Sequence, residues 1–84
     1  MALFYFPLRD GQDVLLDPEG AELSDLTAVV KRALLEARGV ISADALRGLV
    51  RLDMRLDVED AAGALVHRLS FSDAVKIVPT ASAA

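Results

Sequence analysis

The sequence predicts an α+β fold, a two-layer sandwich in the order β-β-α-β-β, with a four-stranded, mainly antiparallel sheet and one long helix on one face. Three observations carry that reading. Residues 51–59 alternate between charged and apolar side chains, the mark of a strand with one wet and one dry face. Apolar side chains between Leu26 and Ile41 recur at helical spacing. Two glycine-containing turn signals divide the segment before them into short extended runs.

Taken in order, Leu3 to Leu8 is a short apolar run holding three aromatics, the composition of a strand covered on both faces. Asp10-Gly11 marks a tight hairpin turn, because glycine accepts positive φ. Val14, Leu15 and Leu16 form the returning strand, and Asp17-Pro18-Glu19-Gly20 fits a type I turn. Ser24 is the expected N-cap, and Asp25 adds negative charge where the helix dipole is positive. The apolar stripe then runs through Leu26, Val29, Val30, Ala33, Leu34, Ala37, Val40 and Ile41 to a stop at Arg47-Gly48. One helix from Asp25 to Arg47 is about 35 Å long. Gly39 costs such a helix about 1 kcal/mol against alanine, and Asp44 falls on its apolar side. A helix capped at Gly39 with a new turn at Ser42 is therefore the competing reading. The single helix is preferred, since Val40 and Ile41 hold the period across the glycine.

In the second hairpin Leu52, Met54, Leu56 and Val58 point inward, while Arg51, Asp53, Arg55, Asp57 and Glu59 point outward. Asp60-Ala61-Ala62-Gly63 makes the turn, with Gly63 placed for a left-handed bulge. Leu65 to Phe71 returns, in a register that sets Val58 against Leu65, Met54 against Leu69 and Leu52 against Phe71. Val75, Ile77 and Val78 are expected on the rim. Residues 1–78 read as one domain and 79–84 as a disordered tail. The expected core is Phe4, Phe6, Leu15, Leu26, Val30, Ala33, Leu34, Ala37, Leu52, Met54, Leu56, Leu69 and Phe71.

Composition limits the function. The chain has 84 residues, no cysteine and four aromatics, with 54% hydrophobic residues. A domain of this size buries only about 60% of its unfolded surface, and no disulfide or thiolate metal site supplements that core. Self-association is a common way to hide further apolar surface. No run approaches the roughly 20 apolar residues that cross a bilayer, the start lacks the basic flank of a secretory signal, and a cytoplasmic setting is expected. A net charge of −4 argues against general nucleic-acid affinity. The charge is also uneven. Six carboxylates and no Lys or Arg lie between Asp10 and Asp25, and the other seven acids are interspersed with the basic residues. Such an imbalance speaks to partners rather than to chemistry.

Four segments carry a resemblance: FYFPLRDG from Phe4 to Gly11, EGAELSDL from Glu19 to Leu26, LDVEDAAG from Leu56 to Gly63 and FSDAVKI from Phe71 to Ile77. Together they are similar to the landmarks of a family of small bacterial proteins classed as a domain of unknown function. In that family an aromatic strand ends in R-D-G, followed by D-x-E-G-x-E-L-P-D-L, an Ala- and Arg-rich helix and a V-x-D-E-x-G hairpin. The similarity spans residues 3 to 77. This chain departs from it at Pro7, where the family often has His or Asp, and at Ser24, where it usually has Pro. The resemblance implies a fold and no activity.

No set of residues amounts to a catalytic site, so no enzyme, cofactor or metal is expected. The acidic run lacks an Asp-x-Asp-x-Asp-Gly loop, and turn and cap preferences already account for Asp10, Asp17 and Asp25. His67, the sole histidine, is expected on the helix-facing side across from Leu56 as a rim residue. Ser70 and Ser72 have no nucleophile elbow around them. On the back of the helix, Ala28, Leu35, Gly39, Ser42 and Leu46 fall on one narrow line where a second helix could approach, with Leu35 and Leu46 as knobs. Isolated exposed leucines are the ordinary alternative. Tyr5 and Leu3, on the outside of the first strand, form a competing contact surface. The expected function is a protein-interaction module and homodimer, with Tyr5, Leu35 and Leu46 as contacts and Asp13, Asp17, Glu19 and Glu22 as electrostatic guides. The alternative is an antitoxin-like or regulatory nucleic-acid binder using a patch of Arg32, Arg38, Arg47, Arg51 and Arg55.

Overall fold

The computed structural model describes residues 1–80 and confirms an α+β fold built from an antiparallel sheet and one long helix. The strands are β1 (Ala2–Tyr5), β2 (Leu8–Asp10), β3 (Asp13–Leu15), β4 (Ala21–Leu23), β5 (Arg55–Asp60) and β6 (Leu65–Ser70). The helices are α1 (Leu26–Leu46) and a single turn, α2 (Phe71–Ala74). The sheet has six strands rather than four because both ribbons of the first hairpin are split. β1 and β2 lie antiparallel to β5 in one register: Phe4 faces Asp60, Tyr5 faces Glu59, Leu8 faces Leu56 and Arg9 faces Arg55. The gap falls at Phe6 and Pro7, where the proline has no N–H to give the ladder. Its carbonyl still accepts the Asp57 N–H at 3.4 Å. Across the other edge Leu8 faces Leu15 while Phe4 faces Ala21, so the returning ribbon carries two extra residues. They are accommodated in the excursion between β3 and β4.

The helix runs without a break through Gly39. Its N-cap is Asp25, not Ser24: Asp25 Oδ1 accepts the Ala28 N–H at 2.8 Å, one residue beyond the expected serine cap. At the other end Gly48, at φ +83°, lets the Leu49 N–H reach the Asp44 carbonyl and its own N–H reach that of Ala45. Asp44 lies on the buried side, where its carboxylate accepts from Arg47 Nη2 at 2.7 Å. Val29, Ala33 and Ala37 are fully buried, and their small size lets α1 pack against β5 and β6.

The core gathers Phe6, Met54, Leu56, Val58, Leu69, Phe71 and Ala74 around that stripe, with Phe4, Leu34 and Leu52 partly buried against it. Val30 is half-buried. Leu15 and Leu26 do not belong to it: Leu15 is 68% exposed and Leu26 55%. Leu15 does face the helix layer, opposite Leu8, but α1 does not extend over it; Leu26 opens the helix before it reaches the sheet. The second hairpin also differs from its expected pairing. β5 begins at Arg55 rather than Arg51, and Leu56 faces Leu69 while Val58 faces His67. This register is two residues from the expected one, a shift that leaves every side chain on the same face. A bulge between Val58 and Glu59 takes up one of those two residues before the turn, where Gly63 has φ +83°. Phe71 leaves the strand to start α2, with its N–H on the Met54 carbonyl. Ile77 and Val78 are exposed instead of packing on the rim. Of the expected tail at 79–84, residues 81–84 lie outside the described residues.

Two glycines should respond oppositely to alanine. At Gly20 (φ +67°) an added Cβ would sit 2.6 Å from the Phe4 carbonyl oxygen and against the Tyr5 ring. Gly20→Ala should cost about 1–2 kcal/mol from the backbone alone, with the clash added. Gly39 has nothing within 4 Å of that position, so Gly39→Ala should stabilise the fold by about 1 kcal/mol. Urea melts of the two variants check both signs.

Candidate functional site

The excursion between β3 and β4 creates a cleft beside α1. Phe6 loses its strand partner at the break before Pro7, and its N–H donates instead to Asp17 Oδ2 at 3.0 Å. Asp17 Oδ1 accepts the Gly20 N–H at 3.3 Å, so one carboxylate ties the loop to the first strand and closes its own turn. Gly20 is needed there because only a residue without Cβ fits beneath Phe4. Held in this way, Leu15, Leu16 and Glu19 stand opposite Arg32, Glu36 and Val40 of α1. Phe6, Leu8 and Leu56 form the floor, and the cleft measures about 300 Å³.

The floor is apolar, Asp17 is committed to backbone amides, and Arg32 Nε donates to Glu36 Oε1 at 2.7 Å on the helix wall. His67 lies opposite Val58 on β6 and does not line the cleft. The cleft continues across Arg32, Glu36 and Val40 into a shallow groove along α1 bordered by Leu35, Gly39 and Ala43. Leu35 is 66% exposed there, and Leu46, three turns further along the same side, is 89% exposed. Of the sequence-derived candidates, Leu35, Asp17 and Glu19 thus meet around one continuous surface. Asp13 and Glu22 are exposed on β3 and β4. Tyr5 is apart from Leu35, Asp17 and Glu19, since its place opposite Glu59 puts it on the face of the sheet turned from α1, a face that Glu22, opposite Leu3, shares.

That outer face holds a second constellation, which the sequence reading placed only as a wet surface. Asp57, on β5, is 4% exposed. Its Oδ1 accepts from Arg68 Nε at 2.8 Å and Arg55 Nε at 3.2 Å, and its Oδ2 lies 2.9 Å from Arg9 Nε. Burial pushes the Asp57 carboxyl up, but the hydrogen bonds and charges of Arg68 and Arg55 outweigh it and hold the group below its ordinary value. The occluding groups are the arginine side chains themselves, each between 36% and 54% exposed, so the carboxylate is shielded by mobile charge and not sunk in the core. Arg9 and Arg68 could have been found from strand pairing alone, since Arg68 faces Asp57 and Arg9 faces Arg55.

The five arginines of the nucleic-acid alternative do not converge. Arg32 pairs with Glu36, Arg47 with Asp44, Arg51 with Asp10 and Arg55 with Asp57, while Arg38 Nε donates to the Ala74 carbonyl at 2.7 Å and caps α2. Among the described residues no three metal-ligating side chains come together, and no helix is long and apolar enough to cross a membrane.

Removing the Asp57 charge should destabilise the fold in a pH-dependent way. Its folded value is depressed, so its contribution is complete above the unfolded value of about 3.9 and is lost as pH falls through the lower folded value. Asp57→Asn should cost about 1–3 kcal/mol at neutral pH. The gap from the parent should close under strongly acidic conditions, as read from urea melts along a pH series.

Comparison with curated proteins and with solved structures finds no match. A family model does match residues 3–72, nearly all of the strands and the whole of α1, and the chain belongs to that family, the domain of unknown function DUF6894.

Proposed function

We propose that the protein is a non-catalytic interaction module that works as a homodimer, with the acidic first hairpin as the docking surface for a basic protein partner. The observation that carries the dimer is the continuity of the cleft with the groove on α1. Phe6, Leu8 and Leu56 at its floor belong to the core or pack against it, so the apolar interior opens directly onto Leu15, Leu16 and Leu35. Contiguous apolar surface of that kind marks an interaction site.

A second copy is the occupant that fits. From Arg32 to Leu46 the strip is about 20 Å long, a length suited to another helix of the same kind. Gly39, Ser42 and Ala43 allow close approach, and Leu35 and Leu46 supply knobs. In an antiparallel two-fold crossing at Gly39, Leu35 of each copy lies opposite Ala43 of the other and Arg32 opposite Leu46, so the same patch is complementary to itself. The hairpin acids then remain at the edge. Asp10, Asp17 and Asp25 are occupied by Arg51, backbone amides and the helix cap. Asp13, Glu19 and Glu22 make no ion pair among the described residues and supply the guiding charge.

Light scattering at high micromolar concentration should give twice the mass of the chain. Leu35→Lys should weaken self-association about a hundredfold, because each interface loses two buried leucines. The melt of the diluted variant should match that of the parent, since Leu35 is exposed in the protomer. A strictly monomeric parent, or a variant as dimeric as the parent, would overturn the proposal.

A further inference from the structure

We infer that the outer face of the sheet holds a single phosphoryl group, bound by Arg9, Arg55 and Arg68 around Asp57. Three strands deliver these side chains: Arg9 from β2, Arg55 from β5 and Arg68 from β6. Arg9 and Arg55 are direct cross-strand partners. Like charges in that position ordinarily destabilise a sheet, and here one carboxylate between them holds three guanidiniums together. One bidentate arginine is enough to satisfy a carboxylate. The cluster therefore carries two more positive charges than its own fold requires.

The unused donors point to an oxyanion. Asp57 is engaged by Nε of Arg55 and by Nε and Nη2 of Arg68. Arg9 Nε is buried 2.9 Å from Oδ2 with its N–H out of line with that oxygen, so Arg9 is held there by charge and makes no hydrogen bond that a ligand would have to replace. The Nη groups of Arg9 and Arg55 donate to no protein group among the described residues. All three side chains are more than a third exposed, so a ligand reaches them from solvent. A tetrahedral phosphoryl group offers several oxygens in different directions, which matches three converging guanidiniums better than a planar carboxylate does. Glu59 and Glu22 share this face at its far end. Their charge limits the positive zone to one such group and disfavours a long polyanion lying along the sheet.

Arginine Nε resonances followed by NMR during titration with inorganic phosphate, at neutral pH and low salt, test the site. Saturable shifts should appear at Arg9, Arg55 and Arg68. The apparent Kd should weaken about tenfold in Arg9→Gln and in Arg55→Gln, the equivalent of one charge-assisted hydrogen bond. Each variant leaves two arginines on Asp57, so the fold should persist, as a parallel melt checks. Lys31→Gln, on α1 in the other layer, should leave the titration unchanged. A nucleoside monophosphate that competes with phosphate and binds more tightly would identify a small phosphorylated molecule as the source of the group. Shifts that fail to saturate, an equal response to chloride at matched ionic strength, or unchanged affinity in the folded Arg9→Gln and Arg55→Gln variants would overturn the inference. So would binding of a single-stranded oligonucleotide with no response to phosphate itself.

Discussion

The Phe6 N–H points away from β5, toward the stretch between Leu15 and Ala21 where no strand pairs with it, and the shape of the molecule follows from how the chain satisfies that donor. The first ribbon stops pairing across Phe6 and Pro7 yet keeps its register with β5 on both sides of the gap. The freed Phe6 N–H is taken up by Asp17. A carboxylate accepting a backbone amide is a charge-assisted bond and stronger than the ladder bond it replaces. It also draws the β3–β4 connection over the strand break, where Gly20 packs beneath Phe4 and Tyr5. The cleft is the space this connection leaves beside α1. Its position is thus set by one backbone donor, one aspartate and one glycine rather than by the core.

The helix sets the other limit. Val29, Ala33 and Ala37 bring α1 close to the sheet, but a single helix contacts β4, β5, β6 and α2 and does not cover the end of the first hairpin. Leucines 15 and 16 are left without a roof. A chain of 84 residues has little core to spare, so apolar side chains held in water at this edge and along α1 are a cost that association would remove. Gly39 belongs to the same account: it lowers helix stability and lines the groove. Its presence there makes sense if close approach to α1 matters more than the helix does.

Much of the fold was legible because local chemistry and global packing agree. The turn at Gly20, the stop at Gly48, the bulge glycine at Gly63 and the unbroken stripe of α1 are all written in short segments. What failed depended on distance along the chain. Leu15 has the right parity for the core, but parity cannot say how far a helix reaches. Register in the second hairpin slid by two because a two-residue shift preserves both faces, and only the bulge and the departure of Phe71 into α2 select between the alternatives. Asp25 displaced Ser24 as the cap although both residues suit the position. The cleft floor of Phe6, Leu8 and Leu56 was legible only as core, since each lies in an ordinary apolar run.

The charge pattern shows most clearly how sequence order misleads. The acidic stretch from Asp10 to Asp25 looks like one negative patch, yet half of it is spent on Arg51, on backbone amides and on the helix dipole. Asp57, by contrast, sits in an alternating segment that reads as solvated surface, and it is the carboxylate most enclosed by cations. The difference is that local charges are consumed by local turns, whereas a charge in the central strand takes its surroundings from both neighbouring strands. Arg9 and Arg68 stand 48 and 11 residues from Asp57 in the chain, and antiparallel pairing brings them to either side of it. A net charge of −4 therefore says little about either face. The helix side presents an apolar cleft with acids at its mouth, and the opposite side presents guanidiniums held in place by a single anion.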